Sequence, residues 1–196
     1  MTARHRLVST VALAATSGLA LADLASFNDL VLDTEYMVGD TFTSDGIGFE
    51  ILDFRPGVMF SNLARVHDDL MAGGDGLDLE LNNVRLELMV PFSSIPSVTI
   101  FFGQFGGENN LFVNGDMLTS GTIFDLDGMM IGGATIEVAD LGGGPTQGRL
   151  TVTGDIESFG ISGQELWVDN LRFVVPTPSS LALLTGAGLI CARRRR

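Results

Sequence analysis

The chain has no lysine, two histidines and one each of cysteine, tryptophan and tyrosine among its 196 residues. Each shortage removes a chemistry. Without lysine there is no Schiff base. The one cysteine, Cys191, lies in an apolar run near the C-terminus, so the rest of the chain has no disulfide framework and no cysteine nucleophile. A zinc site of histidine and cysteine is excluded for the same reason. His5 belongs to a basic N-terminal stretch, which leaves His67 as the one histidine for general-base work. It is followed by Asp68 and Asp69 in an acidic, glycine-flanked segment without a nucleophile-elbow pattern, and it reads as a solvated loop residue.

Positive charge is scarce and displaced. All 11 basic residues are arginine, and Arg4, Arg6, Arg193, Arg194, Arg195 and Arg196 lie at the extreme ends. Between Asp23 and Val175 only five arginines (Arg55, Arg65, Arg85, Arg149, Arg172) face all 24 carboxylates, a formal balance of −19 against −13 for the whole chain. A nucleic-acid binder needs a basic face that this segment lacks. Disorder is opposed by an apolar content of 45%. The acidity itself asks for salt or divalent cations around the protein. Carboxylates are plentiful enough for glycosidase chemistry, but no spacing marks two of them as a pair, so the expectation is a non-enzymatic protein.

The two ends read as addresses. Residues 1–22 run from Arg4, His5 and Arg6 through an apolar stretch to Ala20-Leu21-Ala22, the three-part layout of a secretory signal peptide, with cleavage expected between Ala22 and Asp23. The C-terminus reads Val175-Pro176-Thr177-Pro178, then an apolar run over 181–192, then four arginines. Twelve helical residues reach about 18 Å, short of a hydrocarbon core of about 30 Å. Taken alone that run is a marginal span; counted from Phe173 the stretch reaches twenty residues and would keep the arginines on the cytoplasmic side. Proline bracket, short Leu/Ala/Gly-rich helix and terminal arginine cluster, in that order, resemble the PEP-CTERM sorting signal. The resemblance implies recognition by an exosortase, a membrane-embedded transpeptidase, with cleavage near the Pro-x-Pro element and delivery to the envelope surface or extracellular matrix. Thr177 departs from the family, which usually has glutamate there. The other reading is a membrane anchor that is never cut. The expected organisation is thus a signal peptide (1–22), a body (23–175) and a sorting or anchor segment (176–196).

In the body, hydrophobic periodicity is two rather than 3.6. Leu77-Asp78-Leu79-Glu80-Leu81 and Val84-Arg85-Leu86-Glu87-Leu88 alternate strictly, separated by Asn82-Asn83, the chemistry of a tight hairpin or a short kink. Further strands are expected at 47–54, 58–60, 98–102, 111–113, 135–138, 150–153, 156–161 and 166–174, bounded by glycines. No helical stripe is sustained; the best candidate, 63–71, is short. The pattern predicts an all-β, antiparallel β-sandwich. Phe27-Asn28-Asp29-Leu30, Val38-Gly39-Asp40-Thr41-Phe42, Gly106-Gly107-Glu108-Asn109-Asn110-Leu111 and Glu165-Leu166-Trp167-Val168-Asp169-Asn170-Leu171 together resemble jelly-roll domains of the carbohydrate-binding-module type. The last motif is similar to the closing strand of calcium-stapled jelly rolls.

That resemblance implies a structural calcium ion held by Asp29 from the first strand and Asp169 from the last, with Asp45 as a third candidate ligand. The alternative is that these are polar faces of half-buried strands. Asp125-Leu126-Asp127-Gly128 looks like the start of an EF-hand loop, but Met129 and Ile136 occupy ligand positions, and it reads as a turn. A sugar-binding face would use exposed aromatics and amides. Trp167 is one candidate, with packing as its other role, and the amide-rich loop bearing Gln104, Asn109 and Asn110 is another. The expectation is an exported structural or adhesive protein with an extracellular polysaccharide as partner. Its rivals are a glycan-active hydrolase using carboxylates and an uncleaved, membrane-anchored coat protein.

Overall fold

A computed structural model describes residues 22–174, apart from 59–61, 91–92 and 143–145. The predicted signal peptide up to residue 21, with Ala20, lies outside the described residues. So does the sorting segment with Val175, Pro176, Thr177, Pro178, Cys191, Arg193, Arg194, Arg195 and Arg196. Among the described residues no helix is long and apolar enough to cross a membrane.

The described chain is all-β. Thirteen strands follow in order: β1 (Ala22–Ala25), β2 (Glu35–Tyr36), β3 (Thr41–Ser44), β4 (Ile47–Asp53), β5 (Leu63–His67), β6 (Asp78–Asn82), β7 (Val84–Leu88), β8 (Ile95–Val113), β9 (Asp116–Ser120), β10 (Met130–Ile131), β11 (Ala134–Asp140), β12 (Gln147–Ile156) and β13 (Phe159–Val174). All pairings are antiparallel and join into one large sheet. The one helical piece described is a 3-10 turn at Ile123–Leu126, capped by the Thr122 side chain, at the place of the failed EF-hand pattern. The helical candidate at 63–71 is strand β5 followed by a loop.

Two strands organise the sheet. β8 has 19 residues and β13 has 16, and they pair along most of their length. Each changes outer neighbours midway. The first half of β8 borders β12 and its second half borders β9. The first half of β13 borders β7, and its second half borders β6 and then β1. The glycines at 106 and 107, expected to end a strand, instead bend one: Gly107 has φ 73°, and the register of the facing strand shifts at Gly163, Glu165 and Leu166. A one-residue shift moves every following side chain to the other face. The buried set of β8 accordingly switches from Val98, Ile100 and Phe102 to Leu111 and Val113. That of β13 runs Phe159 and Ile161, then Leu166 and Val168, then Leu171 and Phe173, changing phase across the paired slips at 163–166 and again between Asp169 and Arg172. Buried side chains from both halves of the two strands belong to a single hydrophobic cluster.

Asn82-Asn83 is a kink, not a hairpin. β6 and β7 lie end to end along β13, pairing with its 166–168 and 159–163 stretches, and Asn83 takes a left-handed φ of 52°. An aromatic chain anchors one end of the core: Tyr36 stacks on Phe42 at 4.3 Å, Phe42 on Phe49 at 5.4 Å, and Phe49 meets Phe27 at 5.5 Å. Phe49 is fully buried. Phe49→Ala is expected to cost about 3–5 kcal/mol in equilibrium denaturation, through lost burial and the cavity left behind. Met130→Ala, at a position 64% exposed, is expected to stay within about 0.5 kcal/mol.

Candidate functional site

The second half of β13 carries a polar row on the face away from the core. Val168 pairs with Leu79, so one step further along the same register Asp169 of β13 lies opposite Asp78 of β6. Asp78 in turn pairs with His67 of β5, and Asp169 with Phe101 of β8. Two carboxylates directly opposite on one sheet face repel, and a solvated surface would screen them. Here water is excluded: both are 0% exposed.

The loop between β5 and β6 covers them. Gln147 Nε2 donates to the carbonyls of Leu70 and Met71, and Met71 O lies where a side chain on Gly103 would begin, so the loop is pressed onto the bare backbone of β8. Gly74 sits directly over Asp169 Oδ2, with no space for a Cβ. Asp169 Oδ2 accepts from Asp75 N at 3.0 Å and Asn170 Nδ2 at 2.9 Å, while Oδ1 accepts from Asn170 N at 2.6 Å. Asp78 Oδ2 accepts from Ala72 N at 2.8 Å, but Asp78 Oδ1 is buried without a hydrogen-bond partner. Burial, with Asp78 and Asp75 nearby, pushes the Asp169 carboxyl up to about 7 against the help of its two backbone donors. Burial likewise pushes Asp78 up to about 6, with Asp69 adding to the rise. His67, expected to be a solvated loop residue, is a half-buried strand residue whose Nε2 lies 2.8 Å from Glu80.

The expected calcium ligands fall into two hydrogen-bond networks rather than one. Asp29 receives Ser44 Oγ at 2.8 Å and Asp45 N at 2.9 Å, which occupies both of its oxygens. Asp45 Oδ2 receives the backbone N and the hydroxyl of Ser26, and these bonds hold its carboxyl below the usual carboxylate range. Together they fasten β1 to the β3–β4 turn. Asp169 belongs to the other network, with Asp75, Asp78 and Asn170. Asn28 bridges the two: its Nδ2 donates to Asp75 O and its Oδ1 accepts from Leu77 N at 2.6 Å. Among the described residues, no three His, Cys, Asp or Glu side chains form a group able to hold a metal ion. Oxygen donors suited to a hard cation are nevertheless present at the second network, where the unpartnered Asp78 Oδ1 is a buried carboxylate oxygen.

The amides expected to form a polar recognition surface are turned inward. Gln104 is buried, accepting from Ile123 N at 2.8 Å and donating to Thr122 Oγ1, so it holds the 3-10 turn. Asn110 donates to Ser162 Oγ and accepts from Thr119 Oγ1, and Asn109 is buried beside Gly121 O. These amides thus tie β8 to the 3-10 turn, to β9 and the Gly121 carbonyl that follows it, and to Ser162 of β13. Trp167 is half-buried, edge-on to Phe105 at 4.9 Å, with its Nε1 buried and without an acceptor.

Asp78, Asp75 and Asn28 escaped the sequence reading because strict alternation assigns Asp78 to the solvent side of its strand. The available signal was Gly73-Gly74-Asp75-Gly76 just before it, a loop able to lie flat on a sheet. Compared with protein-family models, curated proteins and solved structures, the chain matches none.

Both folded-state carboxyls lie above the unfolded value of about 3.9. The native state therefore holds more protons than the unfolded chain between about pH 4 and pH 7, and stability falls as pH rises through that window. Asp45 acts in the opposite sense, losing its contribution only as pH falls below the ordinary carboxylate range. In chelator the melting temperature is expected to rise as pH is lowered from about 8 to about 5, and Asp169→Asn is expected to flatten that rise. A wild-type profile that is flat or climbs toward pH 8 contradicts the coupling.

Proposed function

We propose that this chain is an exported, non-enzymatic surface or matrix protein with a jelly-roll sandwich body, a signal peptide over 1–22 and a PEP-CTERM-like segment over 176–196 that an exosortase-type transpeptidase reads in the membrane. The observation that carries the reading is the ladder between β1 and the end of β13, with Ala22 opposite Val174 and Ala25 opposite Leu171. The two proposed processing points lie together at one end of this ladder, the first just inside its terminal Ala22–Val174 pair and the second two residues beyond it. Cutting after Ala22 and near Pro176 leaves Asp23, Leu24 and Ala25 paired, so processing at both ends costs the fold almost nothing. The sandwich is supported by the bends in β8 and β13 and by the single core that both halves share.

The hydrolase alternative loses ground on the coupled carboxylates. Glycosidase pairs flank a cleft that admits a sugar and a water, whereas Asp78 and Asp169 are sealed beneath the 70–77 loop. Their role in this reading is structural: with a calcium ion bound there, the like charges are neutralised and the loop is locked to β13. Asp78 and Asp169 would hold the ion, in place of the Asp29–Asp169 pair implied by the family resemblance.

Mass spectrometry of the exported protein is expected to find an N-terminus at Asp23 and a C-terminus near Pro176. An intact C-terminus in the surface fraction favours the uncut anchor, and an uncut N-terminus in the cytoplasm ends the export reading. Calcium at a hundredfold excess over its Kd adds about 2.7 kcal/mol, roughly a 5–10 °C rise in Tm for a body of this size. Asp78→Asn and Asp169→Asn should each remove most of it, and Asp45→Asn should not. Identical melts in calcium and in chelator would falsify the staple.

A further inference from the structure

Five arginines serve the acidic body, and three are paired: Arg55 with Glu108 at 2.7 Å, Arg65 with Glu35, and Arg85 with Glu87 at 3.4 Å. Arg149 and Arg172 have no ion pair or hydrogen bond among the described residues, which include every Asp and Glu side chain of the sequence. With 24 carboxylates available, two unpaired guanidiniums are the exception, and both line one trough.

The trough has a volume of about 280 Å³ and is built on the solvent face of β12, β8 and β13. Strand register sets its plan. Thr151, Thr99 and Arg172 form one cross-strand row, and Arg149 and Phe101 the next, so the arginines occupy opposite corners with the Phe101 ring and two hydroxyls between them. Across three strands and two residues the arginine Cα atoms lie roughly 12 Å apart. The hydroxyls of Thr99 and Thr151 are 3.3 Å from each other. Asn170 closes one side; its amide nitrogen is held by Asp75 and Asp169, which keeps Asp75 on its own network. Both arginines are exposed and Phe101 is partly so.

The geometry points to a binding site for a carboxylate-bearing sugar chain, a polyuronate, in this trough. Each part has a matching group on such a ligand. Guanidinium forks take carboxylates in bidentate fashion. An aromatic face takes the apolar side of a pyranose ring. Paired threonine hydroxyls exchange hydrogen bonds with ring hydroxyls. Nucleic acid, the other abundant polyanion, contacts a longer stretch of surface and meets the repulsion of the whole body. The site deepens the surface-and-matrix reading and rests on it for its biological setting.

The body's charge makes a specific demand on salt. At low ionic strength the carboxylates repel a polyanion at long range; near 0.1 M the Debye length is about 10 Å, and that repulsion is screened while contacts within the trough persist. Binding should therefore strengthen from low to moderate salt and weaken again at high salt, whereas a simple basic patch only weakens.

The test titrates the purified chain with a labelled oligogalacturonate and with a neutral hexose oligomer of equal length, in chelator so that calcium cannot bridge carboxylates. The uronate is expected to bind with the salt maximum described and the neutral oligomer not to bind. Arg149→Gln and Arg172→Gln should each weaken it about tenfold or more, Phe101→Ala should weaken it too, and Arg65→Gln should leave it unchanged. Equal binding of both oligomers, no binding, or unchanged binding in the Arg149→Gln/Arg172→Gln double variant overturns the site. Sedimentation of the protein alone separates the remaining case: self-association abolished by the double variant puts a second copy in the trough, not a sugar. Because the titration uses purified chain, a negative result leaves export standing, and a non-exported chain that binds uronate leaves the trough standing.

Discussion

The antiparallel ladder between β8 and β13 is the constraint on which the other elements depend. β12 and β9 attach to β8, while β7, β6 and β1 attach to β13, and the remaining strands hang from these. Because both long strands pass through the bend, their backbone groups must stay paired while their side chains change face. The register irregularities of the ladder do this: the two slips between Gly163 and Leu166 reverse the inward set once in each strand, and the slip between Asp169 and Arg172 reverses that of β13 again. A fold held by two such strands has long-range pairing at its centre, with Phe159 against Val113 and Phe173 against Val98, so its assembly is limited by the closure of large loops.

The same irregularities make the polar site. Between Asp169 and Arg172 the register slips, and Asn170 takes a left-handed φ of 49°. Without that slip, Arg172 would share the phase of the core residue Val168, and Asn170 would not be placed to give its backbone and side-chain N–H groups to Asp169. One bulge thus supplies the buried carboxylate with two donors and turns Arg172 outward, beside Thr99. The acidic cluster and the arginine trough are two consequences of a single backbone event.

What the sequence discloses follows from what periodicity can carry. The all-β class is legible, as are the strands over 84–88, 135–138 and 150–153 and all but the last residue of 47–54, because each keeps one inward phase throughout. The unity of β8 and β13 was not legible, since a change of phase at Gly106-Gly107 looks like a strand end. The Asn82-Asn83 turn was read as hairpin or kink because local chemistry is the same for both; only the shared partner β13 decides it. Asp169 stands out in the sequence as a candidate ligand, whereas the carboxylate it faces does not. Asp78 sits on the polar side of an alternating strand, and nothing local says that a loop will close over it. Gln104, Asn109 and Asn110 mislead for the converse reason: amides are common in exposed turns, yet here they are buried and bonded to Thr122, Ile123, Gly121, Thr119 and Ser162.

Asp78 and Asp169 also bear on why the body is so acidic. Two opposed carboxylates with no exposure are an expense that the strands themselves do not require, since asparagine at position 78 would keep the one bond that Asp78 Oδ2 accepts from Ala72 N and shed the repulsion, whereas at 169 both oxygens are used as acceptors. The loop that seals them is fitted to the site, with Gly74 placed over the Asp169 oxygen and Asn28 tying it to the N-terminal segment. A closed, well-fitted cover over a pair that repels itself has stable occupancy in only two ways, by protons or by a cation. The charge of the rest of the body, formally −17 without these two carboxylates, favours both, because it raises the local concentration of either at the surface. Protonation therefore acts on the fold at the point where the N-terminal segment, the covering loop and the last strand meet.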